Sequence, residues 1–265
     1  MQLTFLGTGT GGTLDFFNTC FVISNDIGHF LVDTGGGCEV RRRLKMANIN
    51  LQDIKDIFIS HSHTDHILGL IWMYKKIGIM KMHDEISGKI NVYCNDVVYE
   101  AIKGISKYVL PKKLVNLLDD VINYIILRDG DMYNICGVDY TFFDIHAKDT
   151  KQFGFKFVHN DKNIMFLGDE TIKKELYGMV SEADFVMHEA FCLDSEADIF
   201  HPYEKNHSTA LSAAKIMEEL HVKTILLYHT EDNLGDNRKD AYTKEAQSVY
   251  SGNVIVPDEL EVIEL

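Results

Sequence analysis

Short apolar runs separated by glycine, asparagine and aspartate fill the first part of the chain. They lie at 3–6, 20–23, 30–32 and 57–59. Runs of this length between turn-forming residues are typical of buried strands. The pattern therefore predicts that the chain opens on a β-sheet.

Further along, the spacing of apolar positions changes to that of helices, at 39–49, 66–77 and 96–109. The regions 132–145 and 153–167 return to paired strands, with a hairpin turn at Asn160-Asp161-Lys162-Asn163. From Thr171 onward helices alternate with strands: a short helix, a strand at 185–187, a helix at 208–220, a strand at 224–227 and a helix at 238–250. This alternation predicts an α/β fold in which helices cover a sheet.

Chain length and composition predict a single globular domain. The chain has 265 residues, of which 46% are hydrophobic and 25% charged, so disordered, collagen-like and coiled-coil chains are excluded. We predict one domain over residues 1–265. The segment 80–120 mixes lysines with apolar residues and is the best candidate for an insertion over a site.

Charge and cysteine content narrow the classes of function. The net charge is -14, so the protein as a whole repels polyanions. It needs a local source of positive charge, such as bound metal, to bind phosphate. The five cysteines are scattered and form no C-x-x-C pair, which argues against a disulfide framework and a thiolate zinc site. The chain has no apolar stretch near the ~18 residues of a membrane span and no charged leader, so we expect a cytoplasmic protein without membrane contact.

The strongest chemical signal is the run Ser60-His61-Ser62-His63-Thr64-Asp65-His66, between a predicted strand and a predicted helix. On an extended segment His61 and His63 project to the same side, and the following turn brings Asp65 and His66 to the same place. Imidazole and carboxylate ligands without thiolate suit a catalytic zinc, manganese or iron site. This run therefore predicts a metal site.

Two metal ions need more ligands than one loop supplies, and three later residues offer them. His146, Asp169 and His229 each follow directly after an apolar strand. Open α/β sheets place their active sites at such strand ends. Taken together with the histidine run, these residues predict a binuclear site with two divalent ions, zinc first, with manganese or iron as alternatives.

These motifs resemble the metallo-β-lactamase superfamily over essentially the whole chain, from Phe5-Leu6-Gly7-Thr8-Gly9 to the last strands. The resemblance implies a four-layer αββα sandwich. It implies that His61, His63 and His146 hold one metal, that Asp65, His66 and His229 hold the other, and that Asp169 bridges them. It also implies that Asp33, in Leu31-Val32-Asp33-Thr34-Gly35, braces the histidine loop by hydrogen bonding.

Two further motifs resemble the ribonuclease Z-like phosphodiesterases within that superfamily. They are His188-Glu189-Ala190-Phe191 and His207-Ser208-Thr209. The resemblance implies that His207 donates a proton to the leaving oxygen and that Glu189 orients it. Asp65, His207 and Glu189 are thus the expected catalytic residues.

One departure from ribonuclease Z bears on the substrate. That family carries a long basic arm that grips precursor tRNA, usually between the positions of His146 and Asp169, and here only a strand, a turn and a strand join them. Together with the net charge, this favours a small or cyclic phosphodiester over RNA. The alternatives are a tRNA 3′-end endonuclease whose grip comes from the partner in a homodimer, a carboxylic ester, thioester or lactone hydrolase, and a non-catalytic metal sensor.

Overall fold

Two seven-stranded mixed sheets form the centre of the protein. The computed structural model describes the whole chain, Met1–Leu265. Helices and strands are numbered here in chain order. The first sheet has the order β14-β1-β2-β3-β4-β5-β6 and the second the order β13-β12-β11-β10-β9-β8-β7.

The first sheet is built mainly from the first half of the chain. Its strands β3 to β6 are parallel, and β14, β1 and β2 extend it in antiparallel pairing. The strands are β1 Gln2–Gly7, β2 Cys20–Ser24, β3 His29–Val32, β4 Ile54–Ile59, β5 Ile90–Cys94, β6 Ile122–Ile126 and β14 Val262–Glu264.

The second sheet changes from antiparallel to parallel at β10. Strands β7 to β10 form a meander, and β10 to β13 run parallel. The strands are β7 Met132–Ile135, β8 Val138–Asp144, β9 Phe153–His159, β10 Lys162–Phe166, β11 Phe185–Glu189, β12 Thr224–Tyr228 and β13 Asn253–Ile255.

Helices cover the outer face of each sheet. Those of the first half are α1 Glu39–Met46, α2 Thr64–Met82, α3 Asp96–Val109 and α4 Lys112–Val121. Those of the second half are α5 Tyr177–Val180, α6 Ala197–Phe200, α7 Ala210–Glu219 and α8 Arg238–Gln247. None of them combines the length and apolar character needed to cross a bilayer.

Three hydrophobic clusters hold these layers together. One lies between the first sheet and its helices, and another between the second sheet and its helices. The third lies between the two sheets and contains ten of the 15 phenylalanines of the chain. Burial of apolar surface on both faces of both sheets stabilises the stack. The predicted four-layer αββα sandwich is therefore confirmed.

The structure differs from the sequence prediction mainly in the middle of the chain. Strands β5 and β6 and helix α4 were not predicted, and β5 pairs with β4 and β6 inside the first sheet. Residues 90–94 of the segment 80–120 therefore belong to the first sheet. Region 132–145 is itself a hairpin, because Cys136 and Gly137 take φ values of +48° and +77° and reverse the chain.

A glycine lets the histidine loop come close to the end of β3. A Cβ on Gly69 of α2 would lie 1.9 Å from the carbonyl oxygen of Thr34, which no other residue could accommodate. The Gly69 amide donates to the carbonyl of Gly35 at 2.8 Å. The first turns of α2 are thereby fixed against the segment that carries Asp33.

Candidate metal centre

Six of the predicted metal ligands meet at the carboxyl ends of β4, β10 and β12. Two groups have ligand atoms within 4.8 Å of one another, and Asp169 belongs to both. The first is His61, His63 and Asp169, and the second is Asp65, His66, Asp169 and His229. We call these six residues the His/Asp cluster.

The short distances between ligand atoms show that the side chains of the cluster converge on common positions. Oδ2 of Asp169 lies 3.7 Å from Nε2 of His61 and 3.3 Å from Nε2 of His66. Oδ2 of Asp65 lies 3.4 Å from Nε2 of both His66 and His229. The other oxygen of Asp169 is 2.8 Å from Nδ1 of His229.

Several of these atoms are buried without a hydrogen bond. They are Nε2 of His61 and Nε2 of His66, whereas Oδ1 of Asp169 and Nδ1 of His229 face each other as an ion pair without the geometry of a hydrogen bond. Buried polar atoms are normally satisfied, so a group of unsatisfied ones at one place indicates a missing partner. A divalent cation is such a partner for imidazole nitrogens and carboxylate oxygens, and these residues therefore fit a metal centre.

The electrostatics of the cluster also require positive charge. Burial alone would raise the pKa of Asp169 and Asp65, but the neighbouring imidazoles outweigh it and lower both pKa values well below their usual range. Burial lowers the pKa of His229, yet Asp169 and Asp65 raise it to about 9. Both carboxylates thus stay ionised and draw either protons or metal ions into the site.

Asp33 braces the cluster from beneath, as the resemblance implies. Its carboxylate accepts the backbone amide of Ser60 at 2.8 Å and the Ser60 hydroxyl at 2.7 Å. Its Oδ2 lies 2.8 Å from Nδ1 of His66. Because Nδ1 is engaged with Asp33, Nε2 of His66 is the nitrogen that faces the cluster.

His63 and His146 lie at the more exposed side. Nε2 of His63 is 2.9 Å from Oδ2 of Asp149, which leaves Nδ1 for a metal ion. His146 has a half-exposed side chain, and its backbone amide donates to Asp144 at 2.8 Å. The structure does not bring His146 into the cluster, and its role as a ligand stays a prediction.

Glu189 and His207 lie together beside the cluster. Oε2 of Glu189 is 3.5 Å from Nδ1 of His207, and the other oxygen accepts the amide of Ser208. The ring of Phe191 stacks on His207 at 4.6 Å, and the His207 and His229 rings are 5.4 Å apart. Burial lowers the pKa of His207, but the contact with Glu189 and the charge of Asp169 outweigh it and raise this pKa.

The sequence analysis missed two residues that shape the site. Asp149 contacts His63, and Glu170, next to Asp169, is buried. Their only signal in the sequence is that each lies close to a predicted ligand.

Comparison with known proteins agrees with the fold. A sequence model of the family described as anti-Pycsar protein Apyc1 matches residues 1–254. Ribonuclease Z of Archaeoglobus fulgidus is 23% identical, and the match covers 97% of this chain and 95% of that protein.

Solved structures of low sequence identity have the same fold. The metallo-β-lactamase fold protein YhfI from Bacillus subtilis is 18% identical with a TM-score of 0.77, over 99% of this chain and 98% of that one. A diphosphatase of the PhnP family is 17% identical with a TM-score of 0.76, over 100% of this chain and 97% of that one.

These relatives are metal-dependent hydrolases, and the predicted superfamily and its ribonuclease Z-like group are confirmed. The chain belongs to the anti-Pycsar protein Apyc1 family, in the ribonuclease Z-like group of the metallo-β-lactamase superfamily of metal-dependent hydrolases.

Proposed function

We propose that this protein is a metal-dependent phosphodiesterase that hydrolyses a small or cyclic phosphodiester. The observation that carries the proposal is the pair of Glu189 and His207 beside the His/Asp cluster. A carboxylate that orients a histidine suits the protonation of a poor leaving group such as a nucleoside hydroxyl. A metal sensor has no use for such a pair.

Two divalent ions, zinc first, with manganese or iron as alternatives, fit the ligands present. His61, His63 and Asp169 would hold one ion, with His146 as a further predicted ligand. Asp65, His66 and His229 would hold the other, with Asp169 shared. When bound, such ions neutralise phosphate charge and make water nucleophilic at neutral pH.

The residues of the chain supply the remaining chemistry. Nδ1 of His207 faces Glu189, so Nε2 is left to give a proton to the departing oxygen. General acid catalysis of this kind contributes roughly 10²–10⁴ in rate. Phe191 stacks on the His207 ring and limits its rotation. Asp33 holds His66 in one tautomer from the opposite side.

The size of the substrate is inferred from what joins His146 to Asp169. The connection consists of a short loop and the hairpin of β9 and β10, whose turn is only Asn160 and Asp161, both at positive φ. Such a hairpin offers no arm for the body of a tRNA. The net charge of -14 likewise disfavours a large polyanion, while bound cations would set a local positive field for one phosphate.

The second candidate is tRNA 3′-end endonucleolysis, favoured by the nearly full-length match to ribonuclease Z. Values of kcat/KM for bis-p-nitrophenyl phosphate, a cyclic nucleotide and precursor tRNA, measured at one salt concentration, distinguish the two. We expect faster turnover of the small diesters. Efficient cutting of precursor tRNA at one position would favour the endonuclease instead. Hydrolysis of a carboxylic ester or lactone without phosphodiester turnover would refute both.

A further inference from the structure

A short loop after β8 contacts the histidine loop at two points. We call residues 147–150 the latch loop. Oδ2 of Asp149 is 2.9 Å from Nε2 of His63, and the hydroxyl of Thr150 is 3.3 Å from that of Ser62. The loop also follows directly after His146. Its conformation therefore determines what surrounds one of the two predicted metal positions.

The contact between Asp149 and His63 lies at the surface. The side chains are 69% and 42% exposed. An exposed pair of this kind contributes little when both side chains and their backbones are free to move. The contact can orient His63 only if the backbone of Asp149 is fixed by something else.

Glu170 fixes that backbone from below. Its Oε1 accepts the amides of Lys148 at 3.0 Å and Asp149 at 3.3 Å. Its Oε2 lies 2.6 Å from Nζ of Lys173. The Glu170 side chain is only 3% exposed, so these bonds are shielded from water.

From these contacts we propose that Glu170 is a positioning residue for the metal centre. Its buried carboxylate holds the latch loop so that Asp149 accepts the Nε2 proton of His63 and leaves Nδ1 free to bind metal. A metal-binding histidine whose other nitrogen donates to a carboxylate is fixed in tautomer and orientation and is a more basic ligand. The proposal rests on the metal-binding part of the proposed function and does not depend on the substrate.

Metal affinity and amide exchange test this role together. We expect Glu170→Ala and Asp149→Asn each to lower the affinity for one of the two ions by about 10–100-fold, which is the usual effect of losing such a supporting carboxylate. The double variant should lose no more than the larger single effect, because both changes break one chain of contacts. Titration against a zinc chelator of known affinity measures these values.

Hydrogen exchange of the metal-free protein gives a readout that needs neither metal nor substrate. The amides of Lys148 and Asp149 should exchange faster in Glu170→Ala and at the wild-type rate in Asp149→Asn, because only the first change removes their acceptor. Glu170→Leu, which likewise has no acceptor oxygen, serves in its place if the alanine variant fails to fold.

Asp184→Asn is the matched control. Asp184 also accepts a backbone amide, from Asn163 at 2.8 Å, and a lysine, Lys223 at 2.6 Å, but it lies at the other end of the second sheet. The Asp184→Asn variant should bind both ions with wild-type affinity, and the amides of its latch loop should exchange at the wild-type rate. The proposal is overturned by unchanged exchange of Lys148 and Asp149 in the Glu170 variants, by wild-type metal affinity of Asp149→Asn, or by equal weakening of both ions.

Discussion

Oε2 of the fully buried Glu189 lies 3.5 Å from Nδ1 of His207, at the edge of the His/Asp cluster. The two residues come from different elements, the end of β11 and the turn before α7. Their contact couples the orientation and the proton affinity of His207 to a carboxylate that water does not reach.

The first prediction concerns proton donation. His207→Ala should retain both metals and lose roughly 10²–10⁴ in kcat for a substrate with a nucleoside leaving group. The loss should be much smaller with p-nitrophenolate, which departs without a proton. Steady-state kinetics on the two substrates, with metal analysis by plasma mass spectrometry, measures this.

His201→Ala is the control for that experiment, because the His201 side chain is exposed in the loop just before His207 and forms its ion pair with the exposed Glu204. It should behave as wild type. Loss of metal in His207→Ala would indicate that His207 is a metal ligand. Equal losses of kcat on both substrates would indicate that His207 positions the substrate and does not act as an acid.

A second prediction concerns pH. A general acid works only when protonated, so activity must fall as the pH rises through the pKa of His207. Glu189 and Asp169 raise this pKa above its usual value of 6.5 despite burial, so the acid form persists to higher pH. We expect kcat/KM for a nucleoside leaving group to decline on the alkaline side, with the midpoint moved to lower pH in Glu189→Gln. An identical profile in Glu189→Gln would contradict this coupling.

Third, Asp169→Ala should reduce binding of both ions, because this carboxylate belongs to both ligand groups. A ligand at about 100 times its Kd stabilises a protein by about 2.7 kcal/mol. For a chain of this size that corresponds to a rise in Tm of about 5–10 °C. Thermal unfolding with and without zinc should show this rise in wild type and in the surface variant Asp240→Ala, but not in Asp169→Ala. A zinc-dependent rise of wild-type size in Asp169→Ala would refute the bridging role.

Fourth, His146 should prove to be a metal ligand although its side chain is half-exposed. His146→Ala should weaken the binding of one of the two ions, whereas His159→Ala, on the β9 to β10 hairpin, should leave the binding of both unchanged. Zinc titrations monitored by calorimetry measure both. Two ions bound with wild-type affinity by His146→Ala would remove this residue from the ligand set.

Much of the fold and the composition of the site could be predicted from the sequence. Buried strands and amphipathic helices have periodic patterns, so most elements around the cluster were predicted within a few residues. The run from His61 to His66 brings four candidate ligands together by local geometry alone. His146, Asp169 and His229 were predicted as ligands because each follows an apolar strand, and the structure brings Asp169 and His229 into the cluster but not His146.

The tertiary structure decided which of these groups meet and which atoms they present. Strand β5 was missed because its place between β4 and β6 comes from pairing across the sheet and not from its own pattern. The contact of His63 with Asp149 joins residues 86 positions apart, and that of Glu170 with Lys148 joins residues 22 apart. The sequence alone determines that these side chains can hold a metal or a proton. Only the packing of two sheets brings their atoms within hydrogen-bonding distance, because such bonds act over about 3 Å and no local pattern encodes that separation.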